Sequence, residues 1–265
     1  MGFDLWSGTQ IWRGKDFDSL VLKTNTTIKM SVFTYHLVKT DYLSALRILF
    51  SSPKSGNIPG LIHAEIMTVM TLGSPIFSPS RMLIRQIAVF AQWENENDIE
   101  NFLAKDSLGK ILSEGWHTRL TFMRKWGKFN KFEIPDETAE FENPDSPVVA
   151  VTIARMKFLE IPRFIHWGRP VEKLVRDHPA TTLSLASIKF PNTVSTLSVW
   201  KNQKEMTDMV HGHSKVPKPE RHTNAMKERD RKDFHFEFTT LRFKPVSEFG
   251  EWNGQRNIIP NLKNS

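Results

Sequence analysis

His222, Ala225, Met226 and Arg229 recur at i, i+3, i+4 and i+7, the spacing that sets four side chains on one face of an α-helix. Pro217 and Pro219 precede them, and proline suits a first helical turn, so the helix is expected to restart near Pro219. That face offers an imidazole, a small residue that allows close approach, a soft apolar contact and, one turn further on, a cation. A flat iron-bearing macrocycle with anionic propionates needs those features: a neutral imidazole for iron and an arginine for carboxylate. An ordinary surface helix carries the same residue types, and spacing alone leaves both readings open. His211 and His213 stand just upstream and could share a metal ion. Gly212 between them breaks helical spacing, however, and no third ligand sits at a recognisable distance, so a polar loop is the plainer reading.

Other catalytic signatures are missing. The chain has no cysteine, which removes disulfides, thiolate ligands, Cys nucleophiles and iron–sulfur clusters together and is compatible with the cytoplasm. No GxSxG elbow, Walker loop, dinucleotide glycine fingerprint or HExxH occurs, so neither a flavin nor a nicotinamide motif is present. The carboxylates form no isolated pair suited to glycoside chemistry.

The 265 residues include 39% hydrophobic and 25% charged side chains, enough for a real core. The 19 Phe and 8 Trp against 2 Tyr imply broad apolar walls, in a core or around a ligand. The net charge of +7 is scattered except between Lys215 and Lys232, where basic and acidic residues alternate as on a solvated helix face. No aromatic-rich nucleic-acid motif accompanies it. The charge would suit an acidic redox partner or an anionic membrane surface. No apolar run is long enough to span a bilayer and no secretory signal is evident. A cytoplasmic protein that could also touch a membrane surface is expected.

The elements that must position these residues come as a repeat. Phe90-Ala91-Gln92-Trp93 followed by Ile99 and Phe102 recurs as Leu197-Ser198-Val199-Trp200 followed by Met206 and Met209, at a constant offset of 107 (200−93, 206−99, 209−102). Each copy reads as an apolar strand ending in Trp, then an amphipathic helix. Alternation and turn residues predict strands from Met30 to Leu37, Gly60 to Thr71, Met82 to Trp93 and Trp116 to Met123, with helices after Asp41 and over Glu96 to Ser113. The order β-α-β-β-α-β is the split ferredoxin-like unit. It repeats as strands Val148 to Met156, Thr181 to Lys189, Val194 to Trp200 and Phe234 to Phe243, with helices over Leu159 to Asp177 and from Gln203. The expected division is an N-terminal extension (1–29), a first unit (30–135), an acidic proline-bearing linker (136–147), a second unit (148–255) and a tail (256–265). Arg119, Gly127 and Phe129 match Arg242, Gly250 and Trp252 at an offset of 123 (242−119), so the second unit holds 16 extra residues (123−107), within His211 to Lys227.

The run Val148-Val149-Ala150-Val151-Thr152-Ile153-Ala154-Arg155, with Phe164, His166 and Trp167, then Thr196 to Trp200, then His222, Ala225 and Met226 leading to Phe234, Glu237, Arg242 and Phe243, resembles the spheroidene monooxygenase family of carotenoid-modifying oxygenases. Trp116, Leu120 and Gly127 fit as well, and the resemblance spans about residues 30–255. It implies an α+β fold of two ferredoxin-like units forming a pseudo-dimeric α/β barrel. It also implies haem-associated, O2-dependent oxidation of an apolar substrate, with iron held by His222. The inserted His211 to Pro219 segment departs from the family pattern and leaves His211 or His213 as alternative ligands. Arg155 and Arg242 would join Arg229 as propionate partners, and Trp200, Trp167, Phe164 and Trp93 would wall the pocket, or else form ordinary core. Alternation puts Arg155 on the side of Ile153 and Val151. Electrons would come from a separate ferredoxin or reductase. A haem- or lipid-binding protein without turnover, or a cofactor-independent oxygenase or isomerase, would use the same fold. Two fused units could supply internally the sheet pairing that single units obtain by dimerising, so a monomer or a homodimer is compatible.

Overall fold

The computed structural model describes residues 31–50, 56–74, 81–132, 134 and 143–262; the expected N-terminal extension and much of the linker lie outside the described residues. The first unit runs β1 (Val32–Lys39), α1 (Tyr42–Phe50), β2 (Leu61–Met70), β3 (Met82–Trp93), α2 (Glu96–Lys105), α3 (Ser107–Ser113) and β4 (Trp116–Lys128). The second runs β5 (Val148–Met156), α4 (Ile161–Arg176), β6 (Thr181–Lys189), β7 (Thr193–Trp200), α5 (Gln203–His211), α6 (Arg221–Arg231) and β8 (His235–Phe249).

Each unit forms an antiparallel sheet, β4-β1-β3-β2 and β8-β5-β7-β6, and the two join edge to edge as a closed eight-stranded barrel. Closure leaves no sheet edge exposed. This is the expected α+β architecture of two ferredoxin-like units making an α/β barrel. The β4–β8 seam is long, running from His117↔Phe249 to Lys128↔Phe238. The β2–β6 seam pairs only Thr68–Met70 with Ala186–Ile188. A polar clasp supports it: Gly73 N donates to Glu172 Oε2 at 2.7 Å, Arg81 pairs with Glu172 at 3.3 Å, and Arg176 Nη1 donates to the Leu72 carbonyl at 3.1 Å.

The Trp-headed segments behave alike in both units. β3 and β7 end at buried Trp93 and Trp200, and the side chains of Asn95 and Asn202 then cap α2 and α5 by accepting from Asp98 N and Glu205 N. Ile99 and Phe102 in α2, and Met206 and Met209 in α5, are buried beneath. The helix expected over Glu96 to Ser113 is two helices. Asp106 ends the first and its carboxylate accepts from Leu108 N and Gly109 N, starting the second.

The chain's many phenylalanines fill the lumen. Phe33 stacks on Phe90 at 5.7 Å and meets Phe243 at 5.0 Å, with Phe132 against Phe90 at 5.0 Å. Inward positions alternate with outward ones, so the barrel has an outer face on each unit. The first is sealed: Thr34, His36, Val38, Ile66, Ile87, Val89, Ala91 and Trp93 are all buried, the apolar ones packed with residues of α1, α2 and α3. The second is different.

Candidate ligand site on the outer face of the second unit

Strand register sets two rows of side chains across the second outer face. One runs Arg242–Ala150–Ser198–Ser184 over β8, β5, β7 and β6; the next runs Thr240–Thr152–Thr196–Ala186. All but Ala186 remain partly accessible although helices lie over the sheet. The residues are small and mostly hydroxylated, and Thr152 and Thr240 share a hydrogen bond of 3.0 Å. Where the second unit sets Thr196 against Ala186, the first sets Val89 against Ile66, both buried, while Trp93 has its counterpart in Trp200.

Helices α4 and α5 contact the sheet, and α6 reaches it through Arg229. α4 brings Phe164 and Trp167, which with Val194 and Phe238 pack around buried Ala154, Met156 and Phe234. α6 packs chiefly on α4 and α5. Arg163 ties it down, with Nη1 on Glu228 Oε1 at 2.6 Å, Nε on Glu160 at 2.7 Å and its guanidinium over the Phe234 ring at 4.1 Å. Within α6, Ala225 is buried against its neighbours, and the Arg229 guanidinium lies 4.8 Å from the Phe238 ring and 3.2 Å from Asp230. His222 is held at the start of the helix. Its Nδ1 lies 2.9 Å from the Val210 carbonyl. Only a protonated Nδ1 can donate to a carbonyl, so the neutral ring carries its lone pair on Nε2. Burial, and then the charges of Arg229 and His211, hold the pKa below the ordinary imidazole value, against the opposing pull of Val210. A fixed tautomer of this kind is the usual support for a metal-ligating histidine.

The remaining site residues are distributed as follows. Met226 is partly buried on α6. Arg242 lies in the outer-face row, over the Trp126 ring at 4.4 Å. Trp200 is fully buried on the same outer face as Ser198, under α5, with Nε1 donating to Ser198 Oγ at 2.9 Å, and packs with Leu174, Met206 and Met209 as core. Trp93 belongs to the sealed face of the first unit, where Nε1 donates to Thr34 Oγ1 at 3.0 Å. Arg155 shares a side with Ile153 and Val151, and that side is the lumen. It sits at the barrel mouth, 47% exposed and paired with Glu237 at 3.1 Å, across the sheet from His222 and Arg242. His211 and His213 are exposed with ring centroids 6.0 Å apart, and no group of three or more metal-ligating side chains occurs among the described residues.

Sequence reasoning passed over Arg124 and Trp126, which β4 brings to the same edge. The Arg124 guanidinium lies 4.8 Å from the Trp126 ring, opposite Arg242. It also passed over His36 and His117, stacked at 5.0 Å on the sealed face. Both groups depend on cross-strand register, which no local spacing encodes.

No family model matches the chain, and no curated protein matches it. Among solved structures, an aldoxime dehydratase in complex with butyraldoxime superposes with a TM-score of 0.52 at 8% identity, covering 84% of this chain and 81% of that one. A ferredoxin-fold protein from Listeria monocytogenes, related to antibiotic biosynthesis monooxygenases, gives 0.28 at 15% identity over 83% of this chain and 99% of that one. A haem-degrading enzyme from Listeria monocytogenes gives 0.26 at 14% identity over 80% and 98%. The dehydratase likeness is one of fold, at an identity too low to carry an activity across.

The donor set on the second outer face fits haem. A neutral imidazole with its lone pair on Nε2, a floor of small side chains and arginines at the margins are the residue types such a group requires.

Proposed function

We propose that the second unit binds haem between its outer face and α6, and that the protein is a haem-dependent monooxygenase acting on a hydrophobic substrate. The observation that carries this reading is the asymmetry of the two outer faces: one with its inward-packed positions all buried, the other floored with small accessible residues beneath a helical layer that holds a tautomer-fixed histidine. Haem held there would supply oxygen activation at its iron. His222 would hold the iron, its orientation kept by Val210, with Arg229 and Arg242 as carboxylate partners. Ala225 is buried and lets α6 pack closely on its neighbours, and Phe164, Trp167 and Met226 offer apolar surface that excludes water from a lipophilic substrate. The spheroidene monooxygenase-like motifs support a polyene as that substrate. Without a flavin or nicotinamide motif, electrons would come from a separate ferredoxin or reductase, and a chain of net charge +7 would favour an acidic one. No helix among the described residues is long and apolar enough to cross a membrane.

The visible spectrum of protein purified from haem-supplemented cells tests the proposal. A Soret band is expected in the wild type, in His211→Ala and in His213→Ala, and its loss or shift in His222→Ala. No band in the wild type would overturn the haem reading; an unchanged band in His222→Ala would overturn the ligand assignment alone. Product analysis with a reductant and candidate polyenes then separates an oxygenase from a carrier that binds without turnover.

A further inference from the structure

The two outer-face rows do not stop at the second unit. They continue across the β4–β8 seam, where Arg124 stands opposite Arg242 and Trp126 opposite Thr240. A bulge makes this so: the register shifts between Phe122 and Arg124, so Arg124 rather than Met123 meets Arg242. Bulges commonly re-aim a side chain next to a site. Both guanidinium groups lie over the one indole, at 4.8 and 4.4 Å, and among the described residues neither is paired with a carboxylate. Like charges directly opposite on neighbouring strands destabilise a sheet. Burial, and then Arg124, pull the Arg242 pKa down to about 10. Most other arginines of the described chain sit beside an acid, as Arg119, Arg155, Arg163, Arg176, Arg229 and Arg231 do. Two arginines directly opposite on neighbouring strands and sharing one aromatic ring, at the edge of an accessible floor, make a place where a planar oxyanion removes a repulsion and gains charge-assisted hydrogen bonds.

We propose that Arg124, Trp126 and Arg242 form a clamp for a carboxylate carried by the ligand of the second outer face, so that the first unit completes the second unit's site. The clamp rests on the reading of that face as a ligand site, but not on the ligand being haem. A haem propionate and the carboxylate of an apolar substrate share the chemistry, and the test tells them apart.

Binding would be measured for two acid–ester pairs, haem with its dimethyl ester by the Soret band, and decanoate with methyl decanoate by quenching of tryptophan fluorescence. The proteins are the wild type, Arg124→Gln, Arg124→Gln/Arg242→Gln and Arg155→Gln, the last removing one charge from the opposite side of the sheet. The wild type and Arg155→Gln should bind the free acid at least tenfold more tightly than its ester. The double variant should lose that preference while still binding the ester. Arg124 is exposed, so its single variant tests the clamp without disturbing the core. A preference for haem alone assigns the clamp to a propionate, and one for decanoate with no haem binding assigns it to substrate while removing the haem reading. No preference for either acid in the wild type, or one that survives in both arginine variants, would overturn the clamp even where haem binds.

Discussion

His36 and His117 stack at 5.0 Å with rings 18° from parallel, and Phe249 covers His117 at 4.8 Å. Both nitrogens of His36 and Nδ1 of His117 are buried without a partner among the described residues. Burial, then the charges of His117 and Arg119, hold the His36 pKa well below the usual value; burial and Arg119 push His117 down to about 4. Depressed folded-state values mean that the unfolded chain binds more protons in acid. The stability these groups contribute is complete above pH ~6.5 and is lost as pH falls towards 4, a loss on the order of 3 kcal/mol from His117 alone at about 1.4 kcal/mol per unit. The urea midpoint should therefore drop between pH 7 and 5, and His117→Phe should flatten that drop; an equally steep profile in the variant would refute the assignment. Helical spacing within ten residues was enough to group His222, Ala225, Met226 and Arg229. No spacing could pair His36 with His117, or Arg124 with Arg242, because strand register decides those neighbours.

One short connection sets the position of His222, and another closes the barrel core. Gly212 ends α5 in the left-handed region at φ 75°, which lets the chain turn while the Val210 carbonyl remains open to His222. Gly212→Ala should cost about 1–2 kcal/mol through that backbone strain. It should also shift the haem spectrum if Val210 no longer orients His222, read from urea unfolding and the Soret maximum together. The segment beyond is anchored by His178, whose Nε2 lies 3.1 Å from Ser214 Oγ. At the other end of the chain, buried Glu248 accepts from Trp116 Nε1 at 2.7 Å, Ile258 N at 2.8 Å and Ile259 N at 2.9 Å. Glu248→Ala orphans those donors at about 1–3 kcal/mol for each one left buried. Amide exchange at Ile258 and Ile259 should rise by orders of magnitude. Strands β3, β5 and β6 lie where alternation and turn residues set them in the sequence, because those signals are local. The break between α2 and α3 was hidden because the apolar stripe of Ile99, Phe102 and Leu103 resumes with Leu108 and Leu112, masking the capping role of Asp106.

At the scale of the whole barrel the two seams are unequal. β4 and β8 pair along most of their length, whereas β2 and β6 meet over a few residues and rely on Glu172, Arg81 and Arg176 to hold the neighbouring loop. Local opening should begin at the short seam. Amides of Val69 and Ser187 should exchange faster than those of Thr121 and Lys244, and Glu172→Gln should widen the difference. Element order in the sequence was enough to indicate two ferredoxin-like units; which seam would be short depends on strand lengths that propensity does not define. The difference between the outer faces has a further consequence in numbers. A symmetric dimer of identical units must present every surface twice, and would saturate at two equivalents of ligand. Here the two faces are encoded separately, so a ligand titration should end at one equivalent per chain, and chemistry at that face would show no communication between paired sites.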